Sequence, residues 1–225
     1  MKEYNIYGLS RSGNHAIIFW IIHNFVDSIT HIGNSIHIDN NRILCYINNF
    51  NTFEGQIKNN FPCDLFPVVI KSYEDIEFNK NTSIIILRDF INLLSSRYKK
   101  YQPNICLDNK YICDLIRLIN IWKQHTKSPI KTILYNKWLV SKEYRDMVST
   151  KIVGIDNNKD NTSYVSSFGE GSSFSDSSTR QNSFEYLTRY KKVKLPQYII
   201  DYILQDQELL DINKQIFDLD IRAIL

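Results

Sequence analysis

Gly8-Leu9-Ser10-Arg11-Ser12-Gly13-Asn14-His15 decides how the rest of this 225-residue chain is read. It follows the short run Tyr4-Asn5-Ile6-Tyr7 and leads straight into Ala16-Ile17-Ile18-Phe19-Trp20-Ile21-Ile22. Strand, tight glycine turn and buried helix is the natural reading, with the helix over roughly residues 14–26. The two glycines let the backbone wrap inward, so that successive N–H groups and a helix N-terminus converge on a point that attracts phosphate or sulfate. A Walker A loop ends in Gly-Lys-Ser/Thr, with lysine on the β- and γ-phosphates and a hydroxyl on Mg²⁺. Here Gly13 is followed by Asn14 and His15, and the cation comes earlier, as Arg11. The loop suits an anion and is poorly equipped for Mg-ATP.

The second informative stretch is Ser83-Ile84-Ile85-Ile86-Leu87, a buried strand, followed by Arg88-Asp89 and a helix from about 90 to 101. An arginine at a strand end can fork onto a phosphate; the bland alternative is a surface salt bridge to Asp89. Phe66 to Lys71 reads as another buried strand. Such continuous apolar runs between helical segments suit a parallel sheet covered on both faces. The stretch from Ile29 to Ile57 is β-like but broken, and His31, His37 and Asp39 read there as solvated loop residues. A helix over about 109–127 carries Trp122 on its core face. Lys131 to Tyr135 reads as a strand leading into a helix that contains Trp138 and Tyr144. Arg97 and Lys99 read as a solvated helix face. Residues 156–183 are rich in Asn, Ser, Asp and Gly, the composition of a flexible loop. Residues 184–225 read as two or three amphipathic helices broken at Pro196.

Composition bounds the alternatives. The length fits one domain, residues 1–225, with 43% hydrophobic and 13% aromatic residues. A net charge of +3 is too small for a nucleic-acid footprint. Cys45, Cys63, Cys106 and Cys113 show no Cys-x-x-Cys pairing, so reduced thiols are expected and a structural zinc is not. The charged start shows no signal peptide, and no apolar run is long enough to span a bilayer, which makes a cytoplasmic location the expectation.

Together, Gly8–His15 and Ser83–Tyr98 resemble the sulfotransferase family that uses 3′-phosphoadenylyl sulfate (PAPS). In that family an Arg/Lys-Ser-Gly loop after the first strand holds the 5′-phosphosulfate. A later strand ends in an arginine, which shares the 3′-phosphate with a serine eight residues on; Arg88 and Ser96 keep that spacing. The resemblance implies a three-layer α/β/α fold with a central, mostly parallel sheet, the P-loop NTPase-like sulfotransferase fold. It implies transfer of a sulfuryl group to a hydroxyl or amine, with carbohydrate among the acceptors, adenosine 3′,5′-bisphosphate (PAP) as product and no metal. Arg11, Ser12, Gly13, Asn14 and His15 would then grip the phosphosulfate, with Arg11 and His15 also serving catalysis. His15 departs from the usual hydroxyl, although an imidazole can donate to a sulfuryl oxygen.

Further roles follow from the same resemblance. The cytosolic branch carries Lys-Thr-His near the end of the second parallel strand, where this chain reads Lys71-Ser72-Tyr73. Glycosaminoglycan sulfotransferases often use a glutamate instead, which makes Glu74 the candidate base and Lys71 the candidate leaving-group cation. The alternative is that Glu74 and Asp75 cap the next turn. Gly171, Ser172 and Ser173 resemble the family's late glycine-containing loop over the 3′-phosphate, with Arg180 as a basic partner. Tyr135-Asn136 stands where many members have Tyr-Glu. Two other readings compete: a P-loop kinase or NTPase with a degenerate loop, and a catalytically silent nucleotide-binding module.

Overall fold

The computed structural model describes residues 2–25, 36–39, 42–45, 68–73, 83–101, 109–154, 160, 162 and 186–225. The strands are β1 (Lys2–Tyr7), β2 (Ile36–Asp39), β3 (Arg42–Cys45), β4 (Val68–Tyr73), β5 (Ser83–Leu87) and β6 (Lys131–Leu134). They form one sheet in the order β2-β3-β4-β1-β5-β6. β4, β1, β5 and β6 run parallel, and the β2–β3 hairpin is added antiparallel at the β4 edge. His37 and Asp39 therefore belong to a strand, opposite Leu44 and Arg42, and not to the solvated loop expected from the sequence.

β5 shows why the sheet is covered on both sides. All five of its residues are buried. Successive side chains of a strand point to opposite faces. Ile84 and Ile86 accordingly join one core cluster, while Ile85 and Leu87 join another. The first cluster gathers Ile17, Ile18, Trp20 and Ile21 of α1 (Asn14–Phe25) with Tyr135 and Trp138 of α4 (Tyr135–Val140). The second gathers α2 (Phe90–Tyr101), α3 (Asn109–Lys127), α6 (Gln197–Gln205) and α7 (Gln207–Phe217). Helices thus lie on both faces of a mostly parallel sheet, as the sequence predicted. Each fully buried isoleucine contributes about 1.5–3 kcal/mol relative to exposure, so β5 alone anchors both cores.

One helical segment differs from expectation. The helix carrying Trp138 and Tyr144 is divided at Ser141, whose hydroxyl accepts from the Tyr144 N–H at 3.0 Å and caps α5 (Lys142–Met147). A serine cap satisfies an orphan N–H at a helix start, which favours a break over a continuous helix. α5 runs on into a π-helical turn, Val148–Val153, ending at Gly154 with φ 73°. At the other end of the chain, a 3₁₀ turn (Arg189–Lys192) precedes α6, and Pro196 stands just before that helix. Here a proline lacks no needed hydrogen bond. Leu195, Ile199, Ile203, Leu209 and Leu210 pack into the second cluster, so the C-terminal helices cover the sheet. Among the described residues no helix is long and apolar enough to cross a membrane.

This topology puts a switch point between β1 and β5. β1 feeds α1 on one face, while its neighbour β5 feeds α2 on the other. Where adjacent parallel strands send their connections to opposite faces, a cleft opens beyond their carboxyl ends. The glycine loop and Arg88 both stand there.

Candidate anion-binding site

The loop between β1 and α1 is a compact turn held by its own backbone. Ser12 N–H donates to the Leu9 carbonyl at 3.0 Å, and Asn14 Nδ2 donates to the Gly8 carbonyl at 2.8 Å. Gly13 has φ 91°, a left-handed conformation that favours glycine. A methyl added there would overlap the Tyr135 ring, so glycine is required twice over. Arg11 takes a left-handed φ of 76° without being glycine, at a cost of about 1–2 kcal/mol. Its carbonyl accepts from Arg88 Nη1 at 3.0 Å, which holds the strained residue in place. Arg97, expected on a solvated face, is half-buried and reaches the Ser10 carbonyl at 3.4 Å.

Arg88 is the centre of the arrangement, with only 1% of its surface exposed. It is no surface salt bridge. Nη2 donates to the Tyr186 carbonyl at 2.5 Å, and the guanidinium lies 5.2 Å from the Tyr135 ring centroid. Nε has no hydrogen-bond partner among the described residues. An arginine has five N–H donors, so two carbonyls leave capacity for an anion. Asp89 does not neutralise it by a hydrogen-bonded pair. One carboxylate oxygen accepts from the N–H and Nδ2 of Asn92, each at 2.9 Å, and the other from Asn136 Nδ2 at 2.8 Å. Asp89 is thereby the N-cap of α2. The corner is completed by Trp122 Nε1, donating to the Arg88 carbonyl at 2.8 Å, and by Phe90 N–H, donating to Asn213 Oδ1 at 2.9 Å.

The structure adds a residue that the sequence did not suggest. Arg189, in the 3₁₀ turn, is buried and donates from Nη1 to Ser96 Oγ at 3.1 Å. Its guanidinium also lies 4.7 Å from the Tyr186 ring centroid. Burial, and then repulsion from Arg88, lowers its pKa to about 10. Burial likewise pushes Arg88 below the ordinary value, with Tyr135 and Asp89 acting in the opposite sense. Both stay charged at neutral pH. Two buried guanidiniums that repel each other are costly unless a counter-charge is supplied.

The sequence-predicted residues fall into three groups. Arg11, Ser12, Gly13, Asn14, Arg88 and Ser96 are brought to one end of the sheet by the β1 loop, β5 and α2. Within that group the Asn14 amide also braces the Gly8 carbonyl and so shapes the loop. His15 begins the first turn of α1 and Lys71 lies in β4 beside Asn5 of β1, but their side chains are outside the described residues. Glu74, Gly171, Ser172, Ser173 and Arg180 also lie outside them. Arg189 was missed because it stands among Lys191, Lys192 and Lys194, where a charge run reads as solvated surface. Among the described residues no group of His, Cys, Asp and Glu is arranged to hold a metal ion. Comparison of the chain with protein-family models, with curated proteins and with solved structures gave no match.

Proposed function

We propose that this protein is a sulfotransferase that moves a sulfuryl group from 3′-phosphoadenylyl sulfate to a hydroxyl or amine acceptor, on a P-loop NTPase-like sulfotransferase fold. The observation that carries this reading is the buried Arg88–Ser96–Arg189 group beside a glycine loop, where Asp89 directs its carboxylate to Asn92 and Asn136. Such a group fits a terminal phosphate, which takes bidentate and charge-assisted hydrogen bonds from arginine. The glycine loop and Arg11 would face the phosphosulfate end of the same nucleotide. Arg189 is proposed to meet the same 3′-phosphate that the resemblance gives to Gly171, Ser172, Ser173 and Arg180.

In the transfer, the bond from sulfur to the bridging phosphate oxygen breaks and a bond from sulfur to the acceptor oxygen or nitrogen forms. The acceptor's proton goes to a base, for which Glu74 is proposed. Negative charge grows on the bridging oxygen, and Lys71 and Arg11 are proposed to stabilise it. Replacement of the Walker lysine and hydroxyl by Asn14 and His15 speaks against a Mg-ATP enzyme.

Calorimetric titration with adenosine 3′,5′-bisphosphate, and with ATP with and without Mg²⁺, tests the proposal. The expected result is metal-independent bisphosphate binding that is lost in Arg88→Ala. Preferential binding of Mg-ATP would instead favour a kinase, and binding of the bisphosphate without turnover across a broad acceptor panel would favour a silent module.

A further inference from the structure

Residues 90–101 and 186–200 contain Arg97, Lys99, Lys100, Arg189, Lys191, Lys192 and Lys194, and no Asp or Glu. Both segments are basic, with Asp89, Glu185 and Asp201 immediately outside them, in a chain whose totals, 27 basic and 24 acidic, nearly balance. The tetrapeptide Arg-Tyr-Lys-Lys occurs in both segments, at 97–100 and 189–192.

The two segments are packed against each other. Asn92 Nδ2 donates to the Leu187 carbonyl at 2.7 Å, and Tyr190 N–H donates to Asn92 Oδ1 at 3.3 Å. In each copy the arginine turns inward, Arg97 to the Ser10 carbonyl and Arg189 to Ser96. Lys99, Lys191, Lys192 and Lys194 are exposed. One pair of elements therefore turns arginines inward and carries Lys191 and Lys194 on its outer surface.

Beside these lysines lies a groove of about 870 Å³, lined by Tyr190, Lys191, Val193, Lys194, Pro196 and Ile200 among others. Lys191 Nζ is 5.9 Å from the Tyr190 ring centroid. The groove thus sets cations beside aromatic and aliphatic walls.

We propose that this basic face and groove bind an acidic polysaccharide and lead its hydroxyl groups towards the anion site. A sugar ring has an apolar face to lie on Tyr190, Pro196 and Ile200, and acidic substituents to meet Lys191 and Lys194. Lysine is a flexible point charge that tolerates irregularly spaced carboxylates and sulfates, whereas the forked arginines are used inside. A net charge of +3 and a pI near 8.5 fall short of a nucleic-acid footprint. A membrane surface calls for an apolar face that can insert beside the charges, and this face is concave. That the polysaccharide is the acceptor rests on the sulfuryl-transfer reading; its binding does not.

The test uses the full chain and four probes: chondroitin sulfate, neutral dextran, a single-stranded oligonucleotide and phosphatidylserine-containing vesicles. Wild type is expected to bind chondroitin sulfate most tightly and in a salt-dependent manner. Lys191→Glu/Lys194→Glu, exposed substitutions that spare the core, should weaken this at least about tenfold while bisphosphate affinity is unchanged. Equal binding by the variant, or binding of oligonucleotide or vesicles at least as tight as that of chondroitin sulfate, overturns the proposal. Polysaccharide binding without bisphosphate binding would remove the sulfuryl-transfer reading and leave this surface standing. Bisphosphate binding without polysaccharide binding would do the reverse.

Discussion

Replacing Arg189 by methionine separates a ligand-binding role from a structural one. The residue is 7% exposed, and its pKa is lowered to about 10, a penalty of about 3 kcal/mol for holding the charged form. The sign follows from linkage. Because the folded pKa lies below the unfolded one, stability rises as pH climbs above about 10, and the full penalty applies at neutral pH. Methionine removes that penalty, but leaves Ser96 Oγ without its arginine partner at a cost of about 1–3 kcal/mol. It also forfeits the contact with the Tyr186 ring, worth about 1 kcal/mol. These three contributions together change the stability of the unliganded protein by about 1 kcal/mol at most, or roughly 2–4 °C in Tm. Affinity for adenosine 3′,5′-bisphosphate loses a charge-assisted hydrogen bond of about 2–3 kcal/mol, which is roughly 30- to 150-fold. Calorimetry and thermal melts, with and without the bisphosphate, measure both quantities. A large fall in Tm with undiminished affinity would refute the reasoning and make Arg189 a structural residue.

Three other outcomes are expected. Gly13→Ala, which must adopt φ near 91° against the Tyr135 ring, should lower stability by about 2 kcal/mol or more in urea unfolding and abolish bisphosphate binding. Glu74→Gln should retain bisphosphate affinity and lose turnover; near-normal turnover would remove Glu74 as the base. Hydrogen bonds from Lys127 and Lys123 hold the Glu208 carboxyl at about 2, below its ordinary 4.5. Its stabilisation is therefore complete above 4.5 and lost as pH falls to about 2, so Glu208→Gln should flatten this limb of the stability profile.

The parts of the fold legible in the sequence were those with strong local signals. Ser83–Leu87 has no polar residue after the first, so a strand buried on both faces was the simplest reading, and Ile84 and Ile85 do enter opposite cores. The spacing of Arg88 and Ser96 was legible because it lies within one strand–helix unit. Arg189 was not, since it joins Ser96 only through the packing of the 3₁₀ turn on α2, 93 residues further along the chain. The resemblance places Asn14 at the ligand, and the folded loop adds the amide's hydrogen bond back to Gly8, which no local pattern signals. The break at Ser141 does have a local signal, a serine with Glu143 two residues on.

The placement of the tryptophans gives the protein its own optical reporters. All three are buried, and they divide between the two sides of the sheet. Trp20 and Trp138 face each other at 6.0 Å, with Tyr135 stacked on Trp138 at 5.9 Å. Trp122 stands alone on the opposite side, its indole N–H tied to the Arg88 carbonyl. In a chain carrying Trp20→Phe and Trp138→Phe, the remaining emission comes from an indole bonded to the backbone of the central arginine. Its wavelength and lifetime would follow any anion that shifts Arg88, without a label and on the timescale of mixing.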